Sequence, residues 1–439
     1  MSDVRDGLPL TQAGETPADG VFHPETFTLG NGMEVVVVTN RRAPVVSHWV
    51  WYRVGTADSP QGQSGLPHFL EHLMFKGTGN IPPGEFSKTV ARNGGNDNAF
   101  TSYDYTAYFQ TIARDRLELM MGMEAERMVD LRLVDDIVYP ERDVILEERR
   151  MRVENEPSSL LGEQVNAAQF LHHPYRLPVI GWMHEIEAYR REDAEAFYRQ
   201  WYAPNNAILV VAGDITADEL RPLAERTYGQ VPARPVPKRR RLAEPPQTAE
   251  RRVSLADPRV RQPSLVRSYL APSYASPGSE HSYALAVLAE LMGSGGTSRL
   301  YRRLVIELGV ATGVGCYYYA TCLDPTTFRI YASPRPDVEL DTLEAALDAE
   351  LEILLRDGVE ATEVARYRKR MLADAVYARD SLSGAAHILG AALTAGQTVA
   401  DVEAWPARIA AVTAEQINAA ARLVLERRHS VTGRLLAAA

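Results

Sequence analysis

Five residues, His68-Phe69-Leu70-Glu71-His72, stand in an apolar run opened by Pro67, and their spacing constrains this segment more tightly than any other in the chain. A Gly-rich loop, Gly62 to Gly65, leads into Pro67, which suits the first turn of a helix because an N–H there has no helical partner to lose. On a helix, residues four apart lie one turn apart on one face. His68 and His72 can therefore offer imidazole nitrogens to a single metal ion, with Glu71 beside them to hold a water. Glu148 follows seventy-six residues after His72 on a second helical pattern. Two histidines and one carboxylate leave the fourth tetrahedral position open, as a catalytic zinc requires and a structural zinc avoids. The plainer alternative is a pair of histidines satisfied on an ordinary amphipathic helix.

A chain of 439 residues is too long for one core, so two or three domains are expected, and 45% apolar residues suffice to build them. The formal charge of -10 argues against nucleic acid or an anionic membrane as the main partner. No apolar run reaches the roughly eighteen residues of a membrane helix. The start, Met1 to Thr28, is polar, acidic and rich in Gly and Pro, unlike a signal or transit peptide, which makes the cytoplasm the expected location. The two cysteines, Cys316 and Cys322, flank Tyr-Tyr-Tyr-Ala-Thr and read as small core or strand residues.

Along the chain, a polar leader (1–26) gives way to Phe27–Thr39, a strand pair around Asn31-Gly32, the dipeptide that two-residue hairpins favour. Val45–Val54 reads as a buried strand, Pro83–Asn93 as a short helix, and Asp97–Tyr103 with Tyr105–Ile112 as strands at a sheet edge. Arg114–Asp130 is a long helical pattern. Pro140-Glu-Arg-Asp reads as the opening of another helix, with acids in its first turn, which carries Glu141, Glu147, Glu148 and Glu154. Ala207–Asp214 closes this half as a buried strand. From Val231 to Arg252 prolines and a basic tetrad, Lys238 to Arg241, mark a linker, and the tetrad reads as a solvated connector.

Beyond the linker the order of elements starts again. Val287-Leu-Ala-Glu-Leu-Met292 matches Phe69-Leu-Glu-His-Leu-Met74 at both leucines and the methionine, while His68, Glu71 and His72 fall opposite Ala286, Ala289 and Glu290. The second half reads as a repeat whose metal site has been erased. The expected division is a catalytic domain at 27–230, a linker at 231–252 and a homologous domain without metal at 253–439.

Leu66 to Thr78, Gly94 to Asp104, Glu141 to Glu148, His173-Pro-Tyr, Pro178-Val-Ile-Gly181, Tyr202-Ala-Pro-Asn-Asn206 and Gly295 to Tyr301 together resemble the inverted zinc metallopeptidases of the pitrilysin group, relatives of insulin-degrading enzyme and the mitochondrial processing peptidase. The likeness extends over most of the chain, and its length resembles the short, two-domain branch. It implies an α+β fold of two homologous domains, each a mostly antiparallel sheet covered by helices, together forming half of a clam-shell chamber. It implies zinc held by His68, His72 and Glu148, with Glu71 as general base in peptide-bond hydrolysis and Glu141 supporting the site two turns before Glu148. Glu147 is the rival third ligand, set aside because only Glu148 shares a face with Glu141. Asn98, Ala99 and Phe100 lie where relatives pair an edge strand with an extended peptide, although Asn98 also reads as a turn residue after Gly94-Gly95.

One departure stands against these agreements. The family usually carries an Arg and a Tyr seven residues apart in the second domain, and aligned through Leu304 and Gly309 this chain has Val305 and Thr312 there. Short-branch relatives can divide the work between two subunits, so the resemblance implies a heterodimer in which a paralogous non-catalytic subunit supplies the pair. Arg302, Arg303 and Tyr317 to Tyr319 could substitute by a register shift, which keeps a homodimer open. A structural subunit of the same fold, and a zinc hydrolase of non-peptide substrates, are the competing functional classes.

Overall fold

The computed structural model describes residues 20–438, so most of the expected polar leader lies outside the described residues. The chain divides into two compact units. The first takes in the described residues up to Arg149, Leu177–Arg241 and Val376–Ala404; the second takes in Arg150–Arg176, Leu242–Ala375 and the residues from Trp405 onward. Neither unit is contiguous in sequence. Each half of the chain lends one segment to the other half's unit, so the units do not follow the linear boundaries expected from composition.

In the first unit, β1 (Glu25–Thr28), β2 (Glu34–Thr39), β3 (Val45–Tyr52), β4 (Asn96–Thr101), β5 (Thr106–Ala113) and β6 (Ala207–Gly213) form one sheet in the order β1-β2-β6-β3-β5-β4. In the second, β7 (Arg251–Asp257), β8 (Ser264–Ala271), β9 (Ala311–Tyr318), β10 (Thr326–Pro334) and β11 (Ser430–Ala437) form a sheet ordered β7-β11-β8-β10-β9. The orders superimpose as β2-β6-β3-β5-β4 upon β7-β11-β8-β10-β9. The parallel pairs coincide as well, β2 with β6 and β7 with β11, while the remaining pairs are antiparallel. This common topology establishes the internal repeat that six aligned residues only suggested. The fold is α+β, with a mixed, mostly antiparallel sheet in each domain.

Both faces of the first sheet are covered. One carries α1 (Leu66–Leu73), α2 (Glu85–Arg92), α3 (Leu117–Val129) and α4 (Asp135–Arg149) over a core that includes Val35, Val50, Phe69, Leu70, Met120 and Ile145. The other packs Trp49, Trp51, Ile208 and Val210 against helix Leu382–Thr394 of the late segment. Gly390 of that helix is a packing requirement, because a Cβ there would lie 2.0 Å from Trp51. In the second sheet α5 (Pro157–Gln169), from the early segment, places Leu161 and Val165 against Val431 and Leu435. Successive side chains point to opposite faces, so the near-continuous apolar runs of β2, β3 and β6 give the first sheet two apolar faces, and the second of these is covered by a helix from outside the contiguous half. Among the described residues no helix is long and apolar enough to cross a membrane.

Four expectations are corrected. Asn31-Gly32 does not make a two-residue loop: Gly32 N–H donates to Leu29 O (2.9 Å) and Leu29 N–H to Met33 O (2.9 Å), with Gly32 at φ 86°, a longer turn closed by a left-handed glycine. The cause is the Asn31 amide, which donates to the carbonyls of Tyr228 and Val231 at 2.8 Å each. The polar leader ends earlier than residue 26, since Val21 and Phe22 are buried and the Glu403 carboxylate accepts the N–H of Phe22 (2.9 Å) and His23 (3.0 Å).

Pro140 does not open its helix. α4 begins at Asp135, with Val138 buried in the core and Pro140 exposed within the helix, where its ring supplies no N–H to the preceding turn. The basic tetrad is not wholly solvated either. In extended chain alternate residues point to opposite sides: Lys238 and Arg240 are exposed, whereas Arg241 pairs with Asp58 and Asp104, all three side chains at most 3% exposed. Arg239 donates to the carbonyls of Asp104 (2.9 Å) and Thr394 (3.2 Å).

Candidate metal centre

The sequence from Ser64 to Leu73 builds the site from its backbone outward. Gly65 caps α1 in the left-handed region at φ 82°, and a Cβ on it would fall 2.4 Å from the carbonyl oxygen of Ile180. Gly181, at φ 94°, meets Ser64 O as closely in return. The two loops thus lock together through glycine, which accounts for the Pro178-Val-Ile-Gly181 stretch. Arg149, the residue after Glu148, donates to Gly181 O at 2.6 Å. The end of α4 is thereby tied to the loop against which α1 starts.

On α1, Leu66, Phe69, Leu70 and Leu73 fill the core at i, i+3, i+4 and i+7, which turns His68, Glu71 and His72 to the other side. His68 Nε2 lies 3.7 Å and His72 Nε2 3.5 Å from Glu148 Oε2. One donor atom from each of the three residues lies within 4.8 Å of the other two, the only such group of three or more among the described residues. Donors held about 2.0–2.2 Å from a tetrahedral zinc are separated by roughly 3.3–3.6 Å, so two imidazole nitrogens and a carboxylate oxygen at these distances fit that ion. Glu147, one residue away, is exposed and belongs to no such group.

Glu141 stands where a supporting group is needed. Its Oε1 lies 2.9 Å from His72 Nδ1, which directs the opposite ring nitrogen toward the cluster, and its Oε2 pairs with Lys76. Burial raises the Glu141 carboxyl, but the hydrogen bonds from His72 and Lys76 outweigh it and hold the group below the usual range. Glu71 is buried, 8% exposed, and its Oε2 accepts a 2.6 Å hydrogen bond from the Thr101 hydroxyl.

Asn98, Ala99 and Phe100 all fall within β4, which among the described residues is an edge strand paired with β5 alone, so Asn98 is a strand residue rather than a turn residue. Alternation divides them. Ala99 packs on the α1 side, where Thr101 also points, whereas the Phe100 ring lies on the opposite face among Trp49, Trp51, Tyr105 and His387. The Phe100 backbone is engaged as well: Ser102 N–H donates to Tyr105 O at 2.8 Å, so Phe100 and Asn98 share the hydrogen-bonded register facing β5, and the outward-facing backbone of β4 belongs to Asp97, Ala99 and Thr101. In the second unit Val305 sits on the helical turn Tyr301–Glu307 and Thr312 on β9. Of the substitutes, Arg303 is engaged by Glu350 (2.8 Å) and Glu307 (3.0 Å), Arg302 lies 4.0 Å from Glu307, and the Tyr318 hydroxyl donates to Pro272 O. Tyr317 and Tyr319 are exposed.

Sequence reasoning missed Lys76 and Thr101. Lys76 carried a faint signal, four residues past His72, where one more turn of helix-like chain brings a cation to the same carboxylate. Thr101 carried another, two residues beyond Ala99 on the same face of β4.

Residues 34–181 match the family described as Insulinase (Peptidase family M16), and residues 189–371 match the Peptidase M16 inactive domain. The zinc protease PqqE of Helicobacter pylori is 32% identical over 370 residues, covering 82% of this chain and 81% of that one. An uncharacterized zinc protease of Mycobacterium tuberculosis is 30% identical over 94% of each. Among solved structures, a protease from Helicobacter pylori superimposes with a TM-score of 0.88 at 28% identity, covering 94% of this chain and 99% of that one. Pitrilysin shares the fold at a TM-score of 0.76 and 17% identity, and the match covers 96% of this chain but 46% of that one. With both halves matched in order and the repeat visible in the topology, the chain belongs to peptidase family M16, the insulinase family.

Proposed function

We propose that this chain is a zinc-dependent endopeptidase that hydrolyses small unstructured or presequence-like peptides within an enclosed chamber. The observation that carries the reading is the convergence of His68, His72 and Glu148 around one point, with Glu71 on the same helix between the two histidines. Those three residues would hold the ion. Zinc, when bound, polarises a water molecule and the scissile carbonyl. Glu71 takes the proton of the attacking water and delivers it to the departing amine nitrogen. Glu141 keeps His72 in the orientation that aims its Nε2 at the cluster. Along Asn98, Ala99 and Phe100, β4 ends its sheet among the described residues, and an extended peptide would dock on the outward-facing backbone of Ala99 once the Asn98 side chain, which now accepts the Ala99 N–H at 2.9 Å, gives way, so that affinity places little demand on sequence.

The absence of the Arg/Tyr pair at Val305 and Thr312 supports a heterodimer in which a paralogous subunit supplies it, with a homodimer as the alternative. The cytoplasm is the proposed site of action.

The test is Glu71→Gln in the full chain. It should retain zinc at wild-type stoichiometry and lose hydrolysis of a fluorogenic unstructured peptide, because the amide cannot take up the proton. Hydrolysis within tenfold of wild type would refute the role of Glu71. Chelation should inactivate the wild type and zinc restore it; a chain that holds no zinc would favour the structural-subunit reading.

A further inference from the structure

Thr101 stands at an unusual junction. The register pairs it with Thr106 at the last position of the β4–β5 hairpin, and strand alternation turns it, with Asp97 and Ala99, toward α1 and α2. There its hydroxyl donates to Glu71 Oε2 at 2.6 Å, the length of a charge-assisted O–H···O⁻ bond. Thr106 continues the contact 3.5 Å behind it and is itself fixed by donating to Val54 O at 3.0 Å. A glutamate side chain on a helix has three torsions, and the last is broad, so burial alone does not settle which way its carboxylate faces. One strong hydrogen bond from a rigid strand does.

We propose that Thr101 is a positioning residue for Glu71: it holds the carboxylate in the orientation that serves proton transfer and couples it to the edge strand on which a peptide would dock. The proposal rests on the peptidase reading given above. It makes the strand that receives substrate backbone and the group that moves the proton one mechanical element.

The experiment compares Thr101→Val, nearly the same shape without the hydroxyl, with Thr101→Ser, which keeps it, in the full-length chain. Thr101→Ala serves if the second methyl of valine prevents folding. Removing a hydrogen bond to a charged group at the point of proton transfer should lower kcat by about 10- to 100-fold while KM stays within about twofold. Serine should recover most of the loss. Zinc affinity, measured by chelator competition, should stay within about threefold of wild type, because no ligand contact is touched.

A Thr101→Val protein within threefold of wild-type kcat, a serine variant as impaired as valine, or a collapse in zinc affinity would each overturn the proposal. If the wild type shows no zinc-dependent hydrolysis, the peptidase reading fails and this proposal with it. An active wild type indifferent to Thr101→Val overturns this proposal alone.

Discussion

Removing Glu141 should weaken zinc binding without removing a ligand, and the structure sets the size of the effect. Glu141 is 7% exposed and reaches the cluster through His72, whose Nδ1 lies 2.9 Å from Oε1. Three losses follow Glu141→Ala. The His72 ring is no longer oriented and gains rotational freedom that binding must again remove. Its ligating nitrogen becomes less basic, because the carboxylate no longer draws on the Nδ1 proton. The Lys76 ammonium, which pairs with the same carboxylate, is left as an uncompensated cation near a dication. Outer partners of this kind are worth about 10- to 100-fold in metal affinity, or roughly 1.4–2.7 kcal/mol. Glu141→Gln keeps an oxygen that can accept from Nδ1 but discards the charge, so it should fall between wild type and alanine. The assay is competition for zinc against a chromophoric chelator, with circular dichroism to show that each variant is folded. An alanine variant within twofold of wild-type affinity would refute the reasoning, as would a glutamine variant weaker than alanine.

Other substitutions test the remaining parts. Glu148→Gln should abolish stoichiometric zinc while Glu147→Gln retains it, measured by metal analysis after dialysis; the reverse result would reassign the third ligand. Arg241→Ala should lower unfolding free energy by about 3–5 kcal/mol in urea titrations, because it removes the guanidinium paired with the buried carboxylates of Asp58 and Asp104, whereas the exposed Arg240→Ala should change it by less than about 0.5 kcal/mol. An unchanged midpoint for Arg241→Ala would show that the linker is not pinned. Gly65→Ala should impair zinc binding as well as stability, since both the left-handed backbone and the approach to Ile180 forbid a Cβ; wild-type affinity would show that the α1 start does not position His68. Adding a paralogous subunit with Arg and Tyr at the positions of Val305 and Thr312 should raise peptide turnover by at least about tenfold and shift the mass in light scattering, while full activity from the chain alone would reject a divided site.

Much of the centre was legible before any coordinates because helical geometry converts spacing into position. The spacing of four from His68 to His72, and that of seven from Glu141 to Glu148, each define one face of one helix, and no tertiary information is needed to read them. The edge strand was legible for a similar reason, as alternation and aromatic content mark a sheet at Asn98 to Phe100. Alternation also held the answer for Phe100, whose ring must face away from Ala99, but which face the site occupied was unknown until α1 was placed. That α4 approaches α1 at the height of Glu148 rather than Glu147 depends on Arg149 reaching Gly181 and on Gly181 meeting Ser64, contacts between segments more than thirty and more than one hundred residues apart. Local pattern also misjudged Pro140 and the arginines of the linker. In both cases burial was decisive: Val138 pulled the helix start back to Asp135, and Asp58 with Asp104 made a pocket that only the folded unit possesses. The helices exchanged between the two halves are of the same kind. The sequence marked Val45–Val54 and Ala207–Asp214 as buried strands, whose sheet must be covered on both faces; which distant segment covers the second face was decided by the tertiary fold, because hydrophobic burial is indifferent to chain order.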